Sequence, residues 1–507
     1  MQYKIQQIGI IGAGIMGTGI AQIAILSGHD VYLYDANAEA ATQAKDRLGQ
    51  TLQQLASKGK FTEEQVITAL THLHVAEELL ELKDCQLVIE AIIEKLDIKQ
   101  QLMQQLESIV SPQTILATNT SSLSVTAIAA HCHNPERVAG FHFFNPVPLM
   151  KVVEVIQGLH TQPEVLDHLT QLAQHMGHRP VRTKDTPGFI INHAGRAYLT
   201  ESLKILGENV ASVEQIDQVL KSALGFRMGP FELLDLTGLD VSHPVMESIY
   251  QQYYQEPRYR PSILTQQMLT GKRLGRKTGQ GFYRYVEQKK QDIAVASAPS
   301  TVEMTALPKV WLSTDFSQDN ALLSEYLTVK GIPLDTAEHP ATDSLVVIAS
   351  YGEDATSSAL RLGVNPQQVV CLDLIAGFSQ QRTLMPSLLT NAEMKQAAQC
   401  IFQDEMSQVT WIAESIGLIS QRVLAMIVNL GCDMAQQGIA TVEDINAAVR
   451  LGLGYPHGPI EWGDFIGADK VLLTLERMLA LTGDPRYRPS PWLQRRCKLQ
   501  LPLTFNS

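Results

Sequence analysis

The stretch that decides the fold runs from Ile8 to Asp35 and reads IGIIGAGIMGTGIAQIAILSGHDVYLYD. An apolar run of strand length leads into the motif Gly12-x-Gly14-x-x-Gly17, and a helical pattern follows before a second apolar run. Glycines at this spacing let the chain turn tightly, let its backbone approach a phosphate group and let the helix pack closely on the strand. The stretch therefore predicts a strand, turn and helix that hold a pyrophosphate at the helix N-terminus.

Asp35 ends the second apolar run about 20 residues after the glycines, where a carboxylate binds the ribose hydroxyls of a dinucleotide. An acid at this place would repel a 2′-phosphate, so the sequence favours NAD over NADP as the cofactor. Lys45 and Arg47 lie further along the chain and weaken that preference.

Working outward from this stretch, strand and helix patterns alternate over residues 1–186, which predicts an α/β fold with a Rossmann-type doubly wound sheet as the NAD-binding domain. The predicted strands are Ile8–Gly12, Val31–Asp35, Leu87–Ile92, Thr114–Thr118 and Val138–Phe144. The predicted helices include Ile15–Leu26, Ala38–Ser57 and Asp97–Val110. Residues 187–284 are predicted to form an all-α domain, whose first helix starts at Pro187 and reaches Val210.

The second half of the chain repeats this helical segment. Residue types recur at an offset of 229, as in Gly188 and Gly417 or Gly229 and Gly458, and such recurrence indicates the same fold built twice. Residues 285–307 are predicted to be a linker and residues 308–410 a degenerate α/β segment. Its predicted strands are Val310–Ser313, Leu345–Ser350 and Val369–Leu374. Residues 411–507 would then be the second, catalytically silent helical domain.

Composition excludes several classes of function. The chain has 507 residues, a formal net charge of −12 and a hydrophobic content of 45%, and these values predict several soluble domains without a nucleic-acid or membrane surface. The six cysteines show no C-x-x-C or other metal-binding spacing, so we expect no metal, reduced thiols and a cytoplasmic protein. The first predicted strand begins too early to leave room for a signal peptide.

The most informative chemical motif is His142–Glu154, which reads HFFNPVPLMKVVE. If the chain folds back symmetrically about Pro148, residues whose numbers sum to 296 face each other, and His142 and Glu154 satisfy that sum (142 + 154 = 296). A carboxylate beside an imidazole fixes its tautomer, which suits a general base that moves the proton of an alcohol. The alternative is a core histidine beside a glutamate that faces solvent.

Two further groups belong to the predicted site. The cluster Thr118-Asn119-Thr120-Ser121-Ser122 lies at the end of a predicted strand, where open α/β sheets bind ligands, although a serine there could instead cap the helix that begins near Ser124. Asn192 lies in the apolar run GFIIN, where a buried amide needs a hydrogen-bond partner. The repeat places Gln421 at the corresponding position (192 + 229 = 421), and the second copy shows no matching His/Glu pair.

These motifs resemble those of the 3-hydroxyacyl-CoA dehydrogenase family. The resemblance covers about the first 285 residues. Its motifs are GxGxMG with Asp35, VIEAIIEKLDIK (88–99), NTSS (119–122), GFHFFNPVPLMKVVEVI (140–156), TPGFIIN (186–192) and GRKTGQGFY (275–283). The duplicated helical half resembles the longer bacterial form, which includes 3-hydroxybutyryl-CoA and 3-hydroxyadipyl-CoA dehydrogenases of phenylacetate catabolism.

The resemblance implies a role for each matching residue. It makes His142 the general base and Glu154 its partner, lets Ser121 contact the substrate oxygen and lets Asn192 hold the thioester region of an acyl-CoA substrate. The positions that match cofactor contacts of the family are Gly12, Gly14, Gly17, Asp35, Glu94, Lys99, Asn145 and Lys277. The lysine that contacts CoA matches Lys58, which read alone is a solvated surface residue.

Other functions stay open at this stage. A β-hydroxyacid dehydrogenase or imine-reductase type of enzyme also joins a dinucleotide domain to a helical domain, but it would more naturally use a lysine where this chain has Asn192. A Rossmann protein that only binds NADH is a second alternative. The resemblance implies that residues 187–284 are a substrate or dimer-type domain, so the tandem helical copies predict either a monomeric pseudo-dimer or a homodimer.

Overall fold

The computed structural model describes residues 5–291, 306–378 and 380–505. The chain divides into two compact units. Unit 1 consists of the chain up to His193 together with Gln437–Leu453. Unit 2 consists of Ala194–Gln436 and the chain from Gly454 onward. This division differs from the predicted domain order, because a helix from the second helical copy belongs to the same unit as the first sheet. The predicted domain boundaries themselves remain a proposal.

Unit 1 is built on an eight-stranded sheet in the order β3-β2-β1-β4-β5-β6-β7-β8. All neighbouring strands run parallel except β6 and β7, which form an antiparallel pair. The strands are β1 (Gln7–Ile11), β2 (Asp30–Tyr34), β3 (Leu73–Val75), β4 (Leu87–Glu90), β5 (Ile115–Thr118), β6 (Val138–Phe143), β7 (Val152–Gln157) and β8 (Arg179–Lys184). A doubly wound α/β fold was predicted, and the structure confirms it.

Helices pack on this sheet and bury its apolar side chains. They are α1 (Ile15–Leu26), α2 (Ala38–Ser57), α3 (Glu63–Thr71), α4 (Leu96–Ile109), α5 (Val125–Ala129) and α6 (Pro163–His175). The central strand β4 is buried along its whole length, as expected for a parallel strand covered on both faces. The predicted bounds of α1 and α2 are those of the structure, and the predicted Asp97–Val110 lies one residue later than α4.

The helix predicted to start at Pro187 begins later, and the difference matters for the site. Helix α7 spans Ile191–Gly207. Gly188 and Phe189 have φ angles of +78° and +49°, so the chain passes through the left-handed region before the helix can start. The first backbone N–H groups of α7 have no acceptor within the helix, so they must find partners elsewhere.

Unit 2 contains helices of both copies, among them α15 (Ile419–Gln436), which is almost entirely buried. The remaining helices of the first copy are α8 (Val213–Leu224), α9 (Pro230–Thr237), α10 (Leu239–Gln252) and α11 (Ile263–Thr270). Those of the second copy are α16 (Val442–Leu453, in unit 1), α17 (Pro459–Ile466), α18 (Ala468–Thr482) and α19 (Pro491–Leu499). Gly229 and Gly458 precede α9 and α17 with equivalent backbone angles, which agrees with the predicted repeat.

A five-stranded sheet in the order β11-β12-β13-β14-β15 also belongs to unit 2. Its strands are β11 (Val310–Thr314), β12 (Leu345–Ala349), β13 (Val369–Leu372), β14 (Gln381–Pro386) and β15 (Gln408–Trp411), and its helices are α12 (Ser317–Val329), α13 (Ala355–Leu362) and α14 (Ala392–Phe402). As in the first sheet, an antiparallel pair (β13 and β14) is followed by a parallel neighbour. The sequence predicted β11, β12 and β13 and missed β14 and β15.

The predicted linker 285–307 begins with regular structure. Its first residues form a hairpin, β9 (Tyr285–Val286) and β10 (Lys289–Lys290). The Tyr285 hydroxyl bonds to Asp235 at 3.1 Å and Lys290 pairs with Glu232 at 2.7 Å, so this segment is anchored to the helices. Residues 292–305 lie outside the described residues. Among the described helices, none is both long and apolar enough to cross a bilayer.

Candidate active site

The glycine-rich turn has the geometry that a dinucleotide needs. Gly12 has a φ of +105°, and a Cβ atom there would lie 2.6 Å from the carbonyl oxygen of Ala91. A Cβ atom at Gly17 would collide with the carbonyl oxygen of Gly12, whereas Gly14 has no atom within 4 Å of that position. The turn is thus closed behind Gly12 and Gly17 and open in front of Gly14, at the start of α1, where a pyrophosphate would lie.

Asp35 follows β2 beside this turn. One of its carboxylate oxygens accepts the backbone N–H of Ala13 at 2.7 Å, and the other accepts the N–H of Asn37 at 2.9 Å. The two hydrogen bonds hold the carboxylate next to the glycine-rich turn. The residues present therefore fit NAD, with the turn facing its phosphates and Asp35 facing its ribose.

His142 and Glu154 are directly paired across the antiparallel strands β6 and β7, in the register that the sequence predicted. The Nδ1 atom of His142 lies 2.7 Å from Oε2 of Glu154. Both residues are buried, with 4% and 0% of their surface exposed. An ionised carboxylate can only accept, so Nδ1 carries the proton of the neutral ring and Nε2 presents its lone pair. Of the described residues, none hydrogen-bonds to Nε2.

The turn before α7 fixes Glu154. Its second oxygen, Oε1, accepts the backbone N–H groups of Ile190 and Ile191, each at 2.9 Å. Both donors are among the first N–H groups of a helix, which have no partner within the helix itself. Sequence reasoning missed this pair of donors. The signal was present in TPGFIIN, where a glycine placed before an apolar helix start permits the left-handed turn.

Ser121 lies in a hydroxyl cluster that surrounds Glu94. Oε1 of Glu94 accepts the hydroxyls of Thr120 and Ser122 at 2.7 and 3.0 Å, and that of Ser121 at 3.3 Å. Burial raises the pKa of Glu94, but the charge of Lys99 and these hydrogen bonds outweigh it, so the pKa falls below its usual value. Ser124 caps α5 through the N–H of Ala127. The capping serine is therefore distinct from Ser121, as the sequence allowed.

Lys99 is buried, with 1% of its surface exposed. Its ammonium group lies 2.9 and 2.8 Å from the two carboxylate oxygens of Glu90 and 3.3 Å from Glu94. The Thr118 hydroxyl also bonds to Glu90. The sequence placed Thr118 in the hydroxyl cluster but missed Glu90, since a buried polar residue within a strand leaves no periodic signal. Through these contacts Lys99 ties the end of β4 to α4 and to Glu94.

The remaining predicted residues are less closely gathered. The Asn192 amide lies 3.4 Å from the carbonyl oxygen of Ser121, at the start of α7. Asn145 is exposed just after β6, and Lys58 is exposed at the C-terminal end of α2. Lys277 belongs to unit 2, where it pairs with Asp240 at 2.6 Å. The structure thus brings together His142, Glu154, Ser121, Asn192 and Glu94, on elements of unit 1.

The second sheet does not reproduce the His/Glu pair. Thr161 donates to the Val138 carbonyl at 2.6 Å, and Thr390 donates to the Val369 carbonyl at 2.6 Å. These equivalent bonds make Val138 of β6 and Val369 of β13 corresponding positions in the two sheets. The residue four positions after Val369 is then Asp373, where β6 has His142. The N–H of Asp373 bonds to the carbonyl of Thr383, so Thr383 stands where β7 has Glu154. Burial raises the pKa of Asp373 to about 6.

Comparisons with known proteins agree with this geometry. The family described as "3-hydroxyacyl-CoA dehydrogenase, NAD binding domain" matches residues 7–186. The family described as "3-hydroxyacyl-CoA dehydrogenase, C-terminal domain" matches residues 188–285 and again residues 417–502. The two matches to one helical family model agree with the duplication that the sequence predicts.

Three relatives illustrate the similarity. The chain is 38% identical to 3-hydroxyadipyl-CoA dehydrogenase of Escherichia coli K12 over 500 residues, which cover 99% of each protein. It is similar to the crystal structure of 3-hydroxybutyryl-CoA dehydrogenase from Escherichia coli K12, with a TM-score of 0.86, 37% identity and coverage of 98% and 99% of the two chains. Over 279 residues it is 42% identical to a probable 3-hydroxybutyryl-CoA dehydrogenase of Deinococcus radiodurans, covering 55% of this chain and all of that one.

These matches extend over both copies of the helical segment and over the sheet that carries the glycine-rich turn, and they establish NAD as the cofactor. The chain therefore belongs to the 3-hydroxyacyl-CoA dehydrogenase family of NAD-dependent oxidoreductases.

Proposed function

We propose that the protein oxidises (3S)-3-hydroxyacyl-CoA to 3-oxoacyl-CoA, with His142 as the general base. The observation that carries this proposal is the buried contact of 2.7 Å between His142 Nδ1 and Glu154 Oε2. NAD, when bound, accepts the hydride that leaves C3 of the substrate. The chain itself must then accept the hydroxyl proton and hold the reacting oxygen in place.

His142 takes the proton at Nε2. Its Nδ1–H is held by Glu154, so the lone pair of Nε2 points away from β7 and toward the substrate. When the ring becomes an imidazolium, the carboxylate of Glu154 stabilises its charge. The N–H groups of Ile190 and Ile191 keep that carboxylate in position during the step.

Ser121 and Asn192 orient the substrate. The hydrogen bond from the Ser121 hydroxyl to Glu94 is 3.3 Å long, compared with 3.0 Å from Ser122. This weaker bond is readily exchanged for one to the substrate oxygen as it becomes a ketone. The amide of Asn192, next to Ser121, holds the thioester carbonyl, and Lys58 contributes a positive charge for the phosphates of CoA.

The remaining assignments concern the cofactor and the acyl group. Asn145 would contact NAD, Glu94 and Lys99 would shape the cofactor side of the site, and Asp35 would bind the ribose. The relatives named for 3-hydroxyadipyl-CoA and 3-hydroxybutyryl-CoA make short acyl groups the favoured substrates, with a role in phenylacetate or fatty-acid degradation.

A reductase assay with acetoacetyl-CoA and NADH tests the proposal against its alternatives. We expect turnover with acetoacetyl-CoA and none with free acetoacetate, because the thioester and CoA contribute binding. Turnover of the free acid alone would favour a β-hydroxyacid dehydrogenase, and binding of NADH without turnover would favour a non-catalytic Rossmann protein. A series of 3-hydroxybutyryl-, 3-hydroxyhexanoyl- and 3-hydroxyadipyl-CoA then assigns the acyl group through the ratio of kcat/KM values.

A further inference from the structure

Helix α16 comes from the second helical copy but lies in unit 1, against β7 and β8. The N–H of Lys184 at the end of β8 donates to the carbonyl of Ile439 at 2.9 Å. Arg179 at the start of β8 pairs with Glu443 at 2.6 Å and with Asp444 at 3.4 Å. Since β8 is the neighbour of β7, the second copy covers the part of the sheet that carries Glu154.

The same docking occurs in unit 2 with the two copies exchanged. The N–H of Ala413 donates to the carbonyl of Val210 at 2.8 Å. These two residues correspond to Lys184 and Ile439 by the offset of the repeat (184 + 229 = 413, 439 − 229 = 210). Helix α8, the counterpart of α16, packs against β14, the counterpart of β7. The exchange of this helix between copies is therefore a property of the duplication, as in a two-fold interface.

Gly452 lies in the last turn of α16, directly against Ile191. A Cβ atom at Gly452 would collide with Cδ1 of Ile191 and would lie 3.1 Å from its Cγ1 and 3.2 Å from its Cγ2. Ile191 is 1% exposed and β-branched, so its side chain has little freedom to move aside. Glycine within a helix is less favourable than alanine by about 1 kcal/mol, and the close contact with Ile191 explains why glycine is present.

At the corresponding positions of the other copy, the residue on the docking helix is larger and the residue at the start of the long helix is smaller. There Ala223 stands for Gly452 and Ser420 stands for Ile191 (452 − 229 = 223, 191 + 229 = 420). The helices that carry them, α8 and α15, pack against each other in unit 2. A larger residue on the docking helix thus accompanies a smaller one at the start of the long helix, which is how packed cores conserve volume.

The contact of Gly452 leads to the proposed general base in two further steps. Ile191 donates its backbone N–H to Glu154 Oε1 at 2.9 Å, and Glu154 Oε2 lies 2.7 Å from His142 Nδ1. Pressure on the Ile191 side chain would shift the first turn of α7 and so move one of the two N–H donors that hold Glu154. Every residue in this sequence of contacts belongs to unit 1.

We propose that Gly452 is a positioning residue for the dehydrogenase reaction, so that the second helical copy holds Ile191, and through it Glu154, in the place that His142 requires. The proposal rests on the proposed roles of His142 and Glu154. It gives the catalytically silent copy a part in catalysis that does not depend on any contact with the substrate. The displacement of a catalytic group by about 1 Å can lower a rate by about 10²-fold.

The test uses four variants of the full chain in the reduction of acetoacetyl-CoA by NADH. Gly452→Ala should lower kcat by about 10-fold or more and leave both KM values unchanged. Ile191→Val removes Cδ1, the atom that the new methyl group would strike. The double variant of Gly452→Ala with Ile191→Val should therefore regain most of the wild-type kcat. Gly49→Ala is the control, because Gly49 lies in a helix of unit 1 with its nearest neighbours at 3.8 and 4.0 Å. His142→Gln reports on the proposed base itself.

The outcomes separate this inference from the proposed function. A wild-type kcat in Gly452→Ala beside an inactive His142→Gln would overturn the positioning role of Gly452 and leave the base intact. A loss of kcat in Gly452→Ala that Ile191→Val does not restore would also overturn it, since the defect would then be one of folding. An active His142→Gln would instead contradict the proposed function. A restored double variant and a normal Gly49→Ala support the inference.

Discussion

At the scale of single residues, two serines with nearly the same surroundings should behave differently. Ser121 and Ser122 both donate to Glu94, at 3.3 and 3.0 Å, but only Ser121 is assigned to the substrate oxygen. We expect Ser121→Ala to lower kcat/KM for acetoacetyl-CoA by about 10²-fold, as for the loss of one donor to a developing oxyanion. Ser122→Ala is the matched control and should stay within a few-fold of wild type. Equal losses in the two variants would remove Ser121 from the substrate site.

The lowered pKa of Glu94 leads to a prediction about how the free energy of unfolding depends on pH. Its pKa is lowered in the folded state despite burial, through Lys99 and the hydroxyl cluster. A lowered carboxyl pKa stabilises the fold above the unfolded value, near pH 4.5, and that stabilisation is lost as the pH falls through the folded pKa. Urea unfolding should show Glu94→Gln to be less stable than wild type at pH 7, by less than about 1 kcal/mol because the Glu94 side chain is partly exposed to solvent. The difference should shrink below pH 4, and a constant difference would contradict this account.

The sequence predicted part of the site at this scale. The pairing of His142 with Glu154 followed from a symmetric fold-back, because antiparallel register fixes which side chains face each other. The burial of Lys99 against Glu90 could not be predicted, since lysines are mostly exposed and these two residues lie on different elements. The backbone donors of Ile190 and Ile191 depend on a left-handed turn that the glycine of TPGFIIN permits but does not by itself require.

At the scale of elements, the turn before α7 should be sensitive to glycine replacement. Gly188 has a φ of +78°, and Gly177, elsewhere in unit 1, has a φ of +72° with no atom within 4 Å of an added Cβ. Alanine in this conformation costs roughly 1–2 kcal/mol, so both Gly188→Ala and Gly177→Ala should lower the free energy of unfolding by a similar amount. Only Gly188→Ala should also lower kcat, because its turn aims the N–H groups at Glu154. A normal kcat in Gly188→Ala would show that the turn does not position the carboxylate.

Helices and strands were predicted well where apolar residues recur with the period of a helix or form an uninterrupted run of strand length. The central strands of the first sheet and helices α1 and α2 follow directly from periodicity. Strand β14 was missed because it carries buried polar residues. Its Arg382 donates to the Tyr326 hydroxyl and to the Phe402 carbonyl, each at 2.6 Å, so tertiary partners replace the apolar pattern that would have revealed the strand.

At the scale of the whole molecule, the duplication means that a chain cut after residue 291 loses the helix α16 that belongs to unit 1. The truncation should expose Ile191 and the surface of β8, and we expect it to dimerise or aggregate on a sizing column with light scattering. Helix α8 of a second molecule has the same register as α16 and could replace it. A monomeric truncation of unchanged stability and activity would contradict this account.

The duplication was predictable from the recurring glycines and prolines, since they mark backbone positions that both copies need. The exchange of α8 and α16 was not, because an internal repeat gives the fold of each copy but not which copy each helix packs against. This is also why the predicted order of domains along the chain differs from the two compact units.

The central claim is that His142 accepts the substrate proton, and single-turnover kinetics tests it most directly. Full-length wild type and His142→Gln, each in excess over (S)-3-hydroxybutyryl-CoA and supplied with saturating NAD, are followed by the absorbance of NADH. General-base catalysis contributes about 10²–10⁴-fold, so the account predicts that the variant binds both ligands normally and forms NADH at least 10²-fold more slowly. Formation of NADH at the wild-type rate in His142→Gln would contradict it.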